Sequence, residues 1–180
     1  MADDTYALKP RSRTETKQDY RTPPEFVRAV EWRYGQIVLD LAAKDGDEVK
    51  PLLEHITPEQ DSLKVPWPTR RHASGVYFLN PPFRDPLPWA RKAAEWRATA
   101  APGVVLAFLI LASVDTLWWR TYVRDHAIAR TVNRIKFLGA DETYPKPLAL
   151  LLYDPRYSST GNALDFWDWR VDLKLAEAAR

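Results

Sequence analysis

The chain has 180 residues, enough for one domain with a sizeable core and too few for two comfortable ones. It contains no cysteine, which excludes a disulfide framework, a thiolate nucleophile and a cysteine zinc site, and fits a reducing, cytoplasmic setting. Its formal charge of +2 is too small to argue for nucleic acid by itself, so a DNA-binding footprint would have to be local.

No segment approaches the run of about eighteen uncharged residues that spans a bilayer, so no membrane partner is expected. The start, Met1-Ala2-Asp3-Asp4, lacks the basic-then-apolar pattern of a signal peptide. Residues 1–19 are polar and without apolar periodicity, and are read as a flexible tail ahead of a single domain over residues 20–180.

Order is expected from Tyr20. Thr22 suits an N-cap, Pro23 the first helical position and Glu25 the first turn. Phe26, Val27, Val30 and Tyr34 follow at helical spacing, with Gly35 as the stop. Ile37-Val38-Leu39-Asp40-Leu41 then reads as a strand with an acid at its carboxyl end. Asp40 there either starts a turn or accepts hydrogen bonds from a ligand's hydroxyl or amine groups. Val49 to Ile56 has room for a short helix, and the prolines in Val65-Pro66-Trp67-Pro68 exclude regular structure. Arg70-Arg71-His72 is either a solvated loop or a phosphate contact.

Val76 to Leu79 is a short apolar strand followed by Asn80-Pro81-Pro82-Phe83. Proline donates nothing to a ladder, so Pro81 and Pro82 end the strand and fix φ beyond it. The result is a rigid turn carrying an amide, bare carbonyls and an aromatic ring. It sits at the strand edge where open α/β sheets place their ligands.

A helix is expected from Leu87 to Ala100, with Trp89, Ala93 and Trp96 on one face. Val104 through Ala112 reads as a strand buried on both faces. A further helix follows, with Asp115 near its start and Trp118 and Tyr122 four apart. Ile128–Val132 and Ile135–Leu138 are weaker strand candidates, Leu148 to Tyr153 a strong one, and the stretch from Ala163 is expected to close the fold as a helix. Strands alternating with helices imply a single α/β domain with a mainly parallel sheet and flanking helices. Asp40 and Asn80 should then share one edge of it.

The ordered set Tyr20-Arg21-Thr22-Pro23, Leu39-Asp40-Leu41-Ala42-Ala43, Asp61-Ser62-Leu63, Asn80-Pro81-Pro82-Phe83 and Trp118-Trp119 resembles the phage-type DNA adenine N6-methyltransferases. These are small, Dam-like members of the class I, S-adenosylmethionine-dependent methyltransferase superfamily. The resemblance runs from about Tyr20 to Asp154 and implies a reduced, Rossmann-like methyltransferase fold. It implies a flipped adenine whose exocyclic amine is held by Asn80 and the carbonyl of Pro81, with Pro82 completing the turn and Phe83 stacking on the base. Phe83 stands where many relatives have Tyr, which keeps the π-face and loses a hydroxyl.

For S-adenosylmethionine, the resemblance places Tyr20, Thr22 and Pro23 near the methionine part. Asp40, with Ala42 beside it, falls at the ribose or the amino group, and Asp61 at the adenine amine. Asp61 is equally a turn residue by its own chemistry. Asp115 with Trp118 borders the pocket or belongs to the core. Arg70, Arg71 and Arg84 are the candidates for DNA contact, and basic residues set register on phosphates more often than they read bases. With little chain left for a recognition domain, relaxed sequence specificity is expected.

One departure stands out. Most class I methyltransferases carry a glycine-rich loop after the first strand, and here no glycine follows Asp40 until Gly46. The alternatives are another planar amine acceptor (RNA adenine or protein glutamine) and a catalytically inactive nucleic-acid-binding relative. Metal-dependent hydrolysis is not expected, because His55, His72 and His126 show no ligand spacing. The sequence is silent on oligomeric state. A phage-encoded protein of this kind would work in the host cytoplasm.

Overall fold

The computed structural model describes residues 20–43, 54–157 and 164–179. The expected tail at 1–19 and most of the expected short helix at Val49–Ile56 lie outside these residues.

The first helix, α1 (Pro24–Tyr34), buries Phe26, Val27, Ala29 and Val30, the face that the apolar spacing marks out. Gly35 stops it at φ 108°, a conformation that favours glycine. Its start differs from expectation. Pro23 is the N-cap residue and makes no side-chain cap bond, so Pro24 is the first helical residue. The Thr22 hydroxyl is engaged elsewhere, as described below.

The strands follow as β1 (Ile37–Asp40), β2 (Glu54–His55), β3 (Gly75–Leu79), β4 (Val104–Leu111), β5 (Ile128–Val132), β6 (Leu148–Tyr153) and β7 (Asp165–Trp167). Between and after them lie α2 (Leu87–Arg97), α3 (Leu117–Tyr122) and α4 (Trp169–Ala178). The strands form one seven-stranded sheet in the order β2-β1-β3-β4-β6-β5-β7. The pairings β1–β2, β1–β3, β3–β4 and β5–β7 are parallel, and only β6 runs against its neighbours β4 and β5. Helix α1 packs against α4, and α2 against α3. This is the expected mainly parallel α/β sheet with flanking helices, a Rossmann-like methyltransferase architecture.

The core centres on β3, β4 and β6, whose residues are almost all fully buried. Burying one Leu or Phe contributes about 1.5–3 kcal/mol, so these continuous apolar strands carry much of the stability. Because β1 and β3 are parallel with Asp40 opposite Phe78, Asp40 and Asn80 emerge at the same edge, as the sequence implies.

Three segments differ from the sequence reading. Glu54–His55 is a strand rather than helix, because it completes the sheet beside Leu39 and Asp40. Ile135–Leu138 is not a strand. Ile135 and Phe137 are buried at alternate positions, but β7 already occupies the free side of β5. The segment therefore turns back, with Leu138 donating to the Arg21 carbonyl and Tyr144 to that of Ile135. At the C-terminus, Asp165–Trp167 pairs with β5 before the helix begins. Asp168 accepts from the Arg170 amide and sets the start of α4 at Trp169.

Candidate active site

Strand β3 delivers Asn80 to the carboxyl edge of the sheet. The Asn80 Nδ2 donates to the Tyr20 carbonyl at 2.8 Å and to Thr22 Oγ1 at 2.9 Å. A carbonyl oxygen only accepts, so the amide orientation is fixed by chemistry: nitrogen toward Tyr20, oxygen away. That oxygen, Oδ1, is buried and has no hydrogen-bond partner. A buried acceptor without a donor costs about 1–3 kcal/mol, a cost that a donor from outside would offset. Arg28 Nε, the Tyr34 hydroxyl, Arg130 Nε and Asn133 Oδ1 are likewise buried without a partner, and Asn80 Oδ1 is the one at the end of β3. Among the described residues, no backbone amide donates to the carbonyl of the adjoining Pro81 either. The two acceptors come from adjacent residues of a turn with consecutive prolines.

Asp40 is 2% exposed, and its Oδ1 accepts from the Ala42 amide at 2.9 Å. Of the two roles open to Asp40, the turn is therefore made by one carboxylate oxygen while the group stays buried at the shared edge.

Phe83 is 6% exposed and belongs to a box of four aromatic rings. It stacks on Tyr20 at 5.7 Å and meets Tyr144 at 5.4 Å and Phe137 at 6.0 Å. Tyr20 also contacts Phe137 and Tyr144, and burial raises the Tyr144 phenol pKa. The rings of Tyr20 and Phe83 occupy each other's faces, so a base stacking here would enter against this box and displace one ring. Phe137 and Tyr144 are invisible as site residues in the sequence: Phe137 reads as one apolar position of a strand candidate, and Tyr144 as a single aromatic in a loop.

On the other side of the proline turn lies a cavity of about 310 Å³, within the range of ligand pockets. Its walls include Ala42 and Ala43 after β1, Ile56 and Pro58 after β2, Asp61, Pro82 and Trp89. The cavity brings Asp40's neighbour Ala42 together with Asp61 and the proline turn. Tyr20, Thr22 and Pro23 are not among its walls; the first two brace Asn80 instead. Trp89 shares the expected face of α2 but faces the cavity, a role that helical spacing alone could not separate from core packing.

Asp61 adopts φ 53°, the only positive φ of a non-glycine among the described residues. Its carboxylate accepts from the Leu63 amide and pairs with Lys64 at 2.8 Å, and that lysine holds its pKa below the usual carboxylate range. The loop it begins is pinned from behind. Lys92 Nζ donates to the carbonyls of Ser62, Leu63 and Val65 at 2.7, 3.1 and 2.5 Å. Trp67 Nε1 donates to the Ser62 carbonyl and hydroxyl, both at 2.9 Å, and the Lys92 ammonium lies 5.0 Å from the Trp67 ring centre. Burial lowers the Lys92 pKa, which the neighbouring Asp61 and Glu95 oppose.

The three arginines expected at DNA separate. Arg70 and Arg71 precede the amino end of β3, roughly 16 Å of strand away from Asn80, and Arg71 is paired with Glu54. Arg84 is exposed beside the turn itself. Asp115 is exposed ahead of α3, and Trp118 is buried against Trp119, with neither among the cavity walls. No group of three or more metal-ligating side chains occurs among the described residues, and no described helix is long and apolar enough to cross a membrane.

Comparison with known proteins adds a family. A family model described as DNA N-6-adenine-methyltransferase (Dam) matches residues 9–147, from within the expected tail to the segment before β6. A curated relative, the DNA N-6-adenine-methyltransferase of Haemophilus phage HP1 (strain HP1c1), is 27% identical over 149 residues. That alignment covers 79% of this chain and 82% of the relative.

Proposed function

Because the chain belongs to the DNA N-6-adenine-methyltransferase (Dam) family, we propose that it methylates the exocyclic N6 amine of adenine in DNA, using S-adenosylmethionine. The observation that carries this reading is the buried, partnerless Asn80 Oδ1.

An adenine amine has two N–H bonds and a lone pair delocalised into the ring, which makes it a poor nucleophile. Asn80 Oδ1 and the Pro81 carbonyl accept those two bonds. They orient the nitrogen and stabilise the positive charge that grows on it as the new bond forms. The site holds no ionisable group at this position and needs none. N6 passes its extra proton to water after the new carbon–nitrogen bond has formed. Tyr20 and Thr22 take no part in bonding the amine. They hold the Asn80 side chain so that its oxygen, not its nitrogen, meets the donor. An adenine inside a duplex cannot reach this buried acceptor, so the base is flipped out and stacks on Phe83 by displacing a neighbouring ring of the box.

The cavity behind Pro82 suits the adenosine part of the methyl donor. Ile56, Trp89 and Pro82 offer apolar surface, and Asp61 is a carboxylate acceptor for an amine. Ala42 and Ala43 stand where a glycine-rich loop is usual, and their small side chains leave the space open. When bound, S-adenosylmethionine would supply an electrophilic methyl group on a sulfonium; as the carbon–sulfur bond breaks, S-adenosylhomocysteine leaves as a neutral thioether.

The test incubates the protein with unmethylated DNA and methyl-radiolabelled S-adenosylmethionine and then identifies the labelled base. N6-methyladenine is expected, with the label lost in Asn80→Ala. Label absent from DNA, label in RNA or protein instead, or label unchanged in the variant would overturn the proposal.

A further inference from the structure

A second cavity, of about 350 Å³, opens on the same edge of the sheet but on the other side of Asn80 from the first. Strand β5 runs antiparallel to β6, and β6 antiparallel to β4, so β5 points the same way as β3. The loop leaving β5 therefore emerges beside the carboxyl end of β3. That loop supplies Arg134, Lys136 and Phe137 to the cavity, while Pro23 and Glu25 come from the start of α1 and Arg170 from the start of α4. The cavity shares walls with the amine site. Phe137 is part of the aromatic box, and Pro23 directly follows the Thr22 that braces Asn80.

The charge on this cavity is lopsided. Arg134 and Lys136 are exposed, and neither forms an ion pair with a described carboxylate. Arg170 is held in place, donating to the Arg134 carbonyl at 3.3 Å and lying 5.4 Å from the Trp169 ring centre. Trp169 is itself anchored to the Asn133 carbonyl. The one acid among the walls, Glu25, lies 4.0 Å from Arg28. Three cations stand over a floor that includes Phe137, Leu138 and Trp169. A free phosphate would use the cations and have no need of the apolar floor. A nucleic-acid backbone, alternating phosphate with sugar, uses both.

We propose that this cleft seats the DNA backbone flanking the target adenine, with Arg134, Lys136 and Arg170 as its phosphate contacts. The assignment rests on the DNA-methylating reading above. It places the local basic footprint at residues that carry no run of charge in the sequence. It also moves that footprint away from Arg70 and Arg71, which precede the amino end of β3.

Binding to a fluorescein-labelled DNA duplex across a salt series tests it, alongside calorimetric binding of S-adenosylmethionine. Each phosphate contact contributes about 0.9 to the slope of log affinity against log salt. Arg134→Ala/Lys136→Ala is expected to lower the slope by about 2, and Arg170→Ala by about 1, with cofactor binding unchanged. Arg70→Ala is expected to leave the slope as in wild type. Wild type that methylates DNA while the double variant keeps its slope would overturn the cleft assignment alone. So would a slope lowered by Arg70→Ala and not by the cleft variants, or a slope lost only with an RNA duplex. Wild type that neither binds nor methylates DNA would overturn both the assignment and the reading beneath it.

Discussion

At its carboxyl edge the sheet holds a buried acceptor, Asn80 Oδ1, without a partner, while at its amino edge the backbone of Gly75 and Gly103 is hydrogen-bonded and closely packed. There the Gly75 amide donates to the Gly103 carbonyl, and farther along β3 the Tyr77 hydroxyl is hydrogen-bonded to His72 Nδ1 at 2.7 Å. A Cβ placed on Gly103 would lie 1.8 Å from the Ala73 carbonyl oxygen. Both edges are built from loops with prolines, aromatics and hydrogen-bonding side chains. The difference is in satisfaction: one edge is closed by backbone packing, the other carries the partnerless Asn80 Oδ1 with a cavity on either side.

The sharpest way to break this contrast is a pair of substitutions. Asn80→Ala is expected to lower the methylation rate on the order of 10²–10³-fold, read from initial rates, while the melting temperature changes little. Gly103→Ala should do the reverse. The new methyl group meets backbone rather than a flexible side chain, so chemical denaturation should show a loss of about 1–3 kcal/mol, with activity per folded molecule retained. A Gly103→Ala enzyme that is fully stable yet inactive would erase the distinction between the edges.

A smaller effect should separate the two sides of Asn80. Lys92→Met removes the ammonium that ties three carbonyls of the Asp61 loop, so the cavity proposed for the cofactor loses a wall that is held in place. Calorimetry should show S-adenosylmethionine binding weakened about tenfold, with DNA affinity unchanged, since the basic cleft lies across the turn. Equal losses for both ligands would mean the cavities are not independent.

The smallest expected effect belongs to Tyr77, farther along β3. Burial, with Glu54 adding and Arg71 opposing, pushes the Tyr77 pKa from 10.0 up to about 12. Between those values the unfolded chain has released the proton and the folded one has kept it. Stability therefore falls as pH rises from about 10 to about 12, and is unaffected by this group below that window. Tyr77→Phe should remove that part of the alkaline fall in denaturation midpoints, at the cost of the His72 hydrogen bond. An identical alkaline slope in wild type and variant would refute the burial argument.

Much of the fold was legible because it depends on local pattern. The continuous apolar runs at Val104–Leu111 and Leu148–Tyr153 and the spacing of Phe26, Val27 and Val30 mark their elements directly. The failures came where partners from elsewhere decide. Ile135–Leu138 alternates like a strand, but β7 holds the place where it would pair. Thr22 has the chemistry of an N-cap, but its hydroxyl serves an asparagine distant in the chain.

For the site, the same division holds. By itself the sequence determined the Asn80-Pro81-Pro82-Phe83 turn and its shared edge with Asp40, because proline stereochemistry and strand direction are properties of the chain. Only the tertiary structure decided which way the Asn80 amide points. It also placed Trp89 on the cavity and Phe137 and Tyr144 around Phe83, and gathered Arg134, Lys136 and Arg170 into one cleft. The physical reason is that hydrogen-bond satisfaction and charge density belong to groups close in space, and those groups come from separate elements of the sheet and its helices.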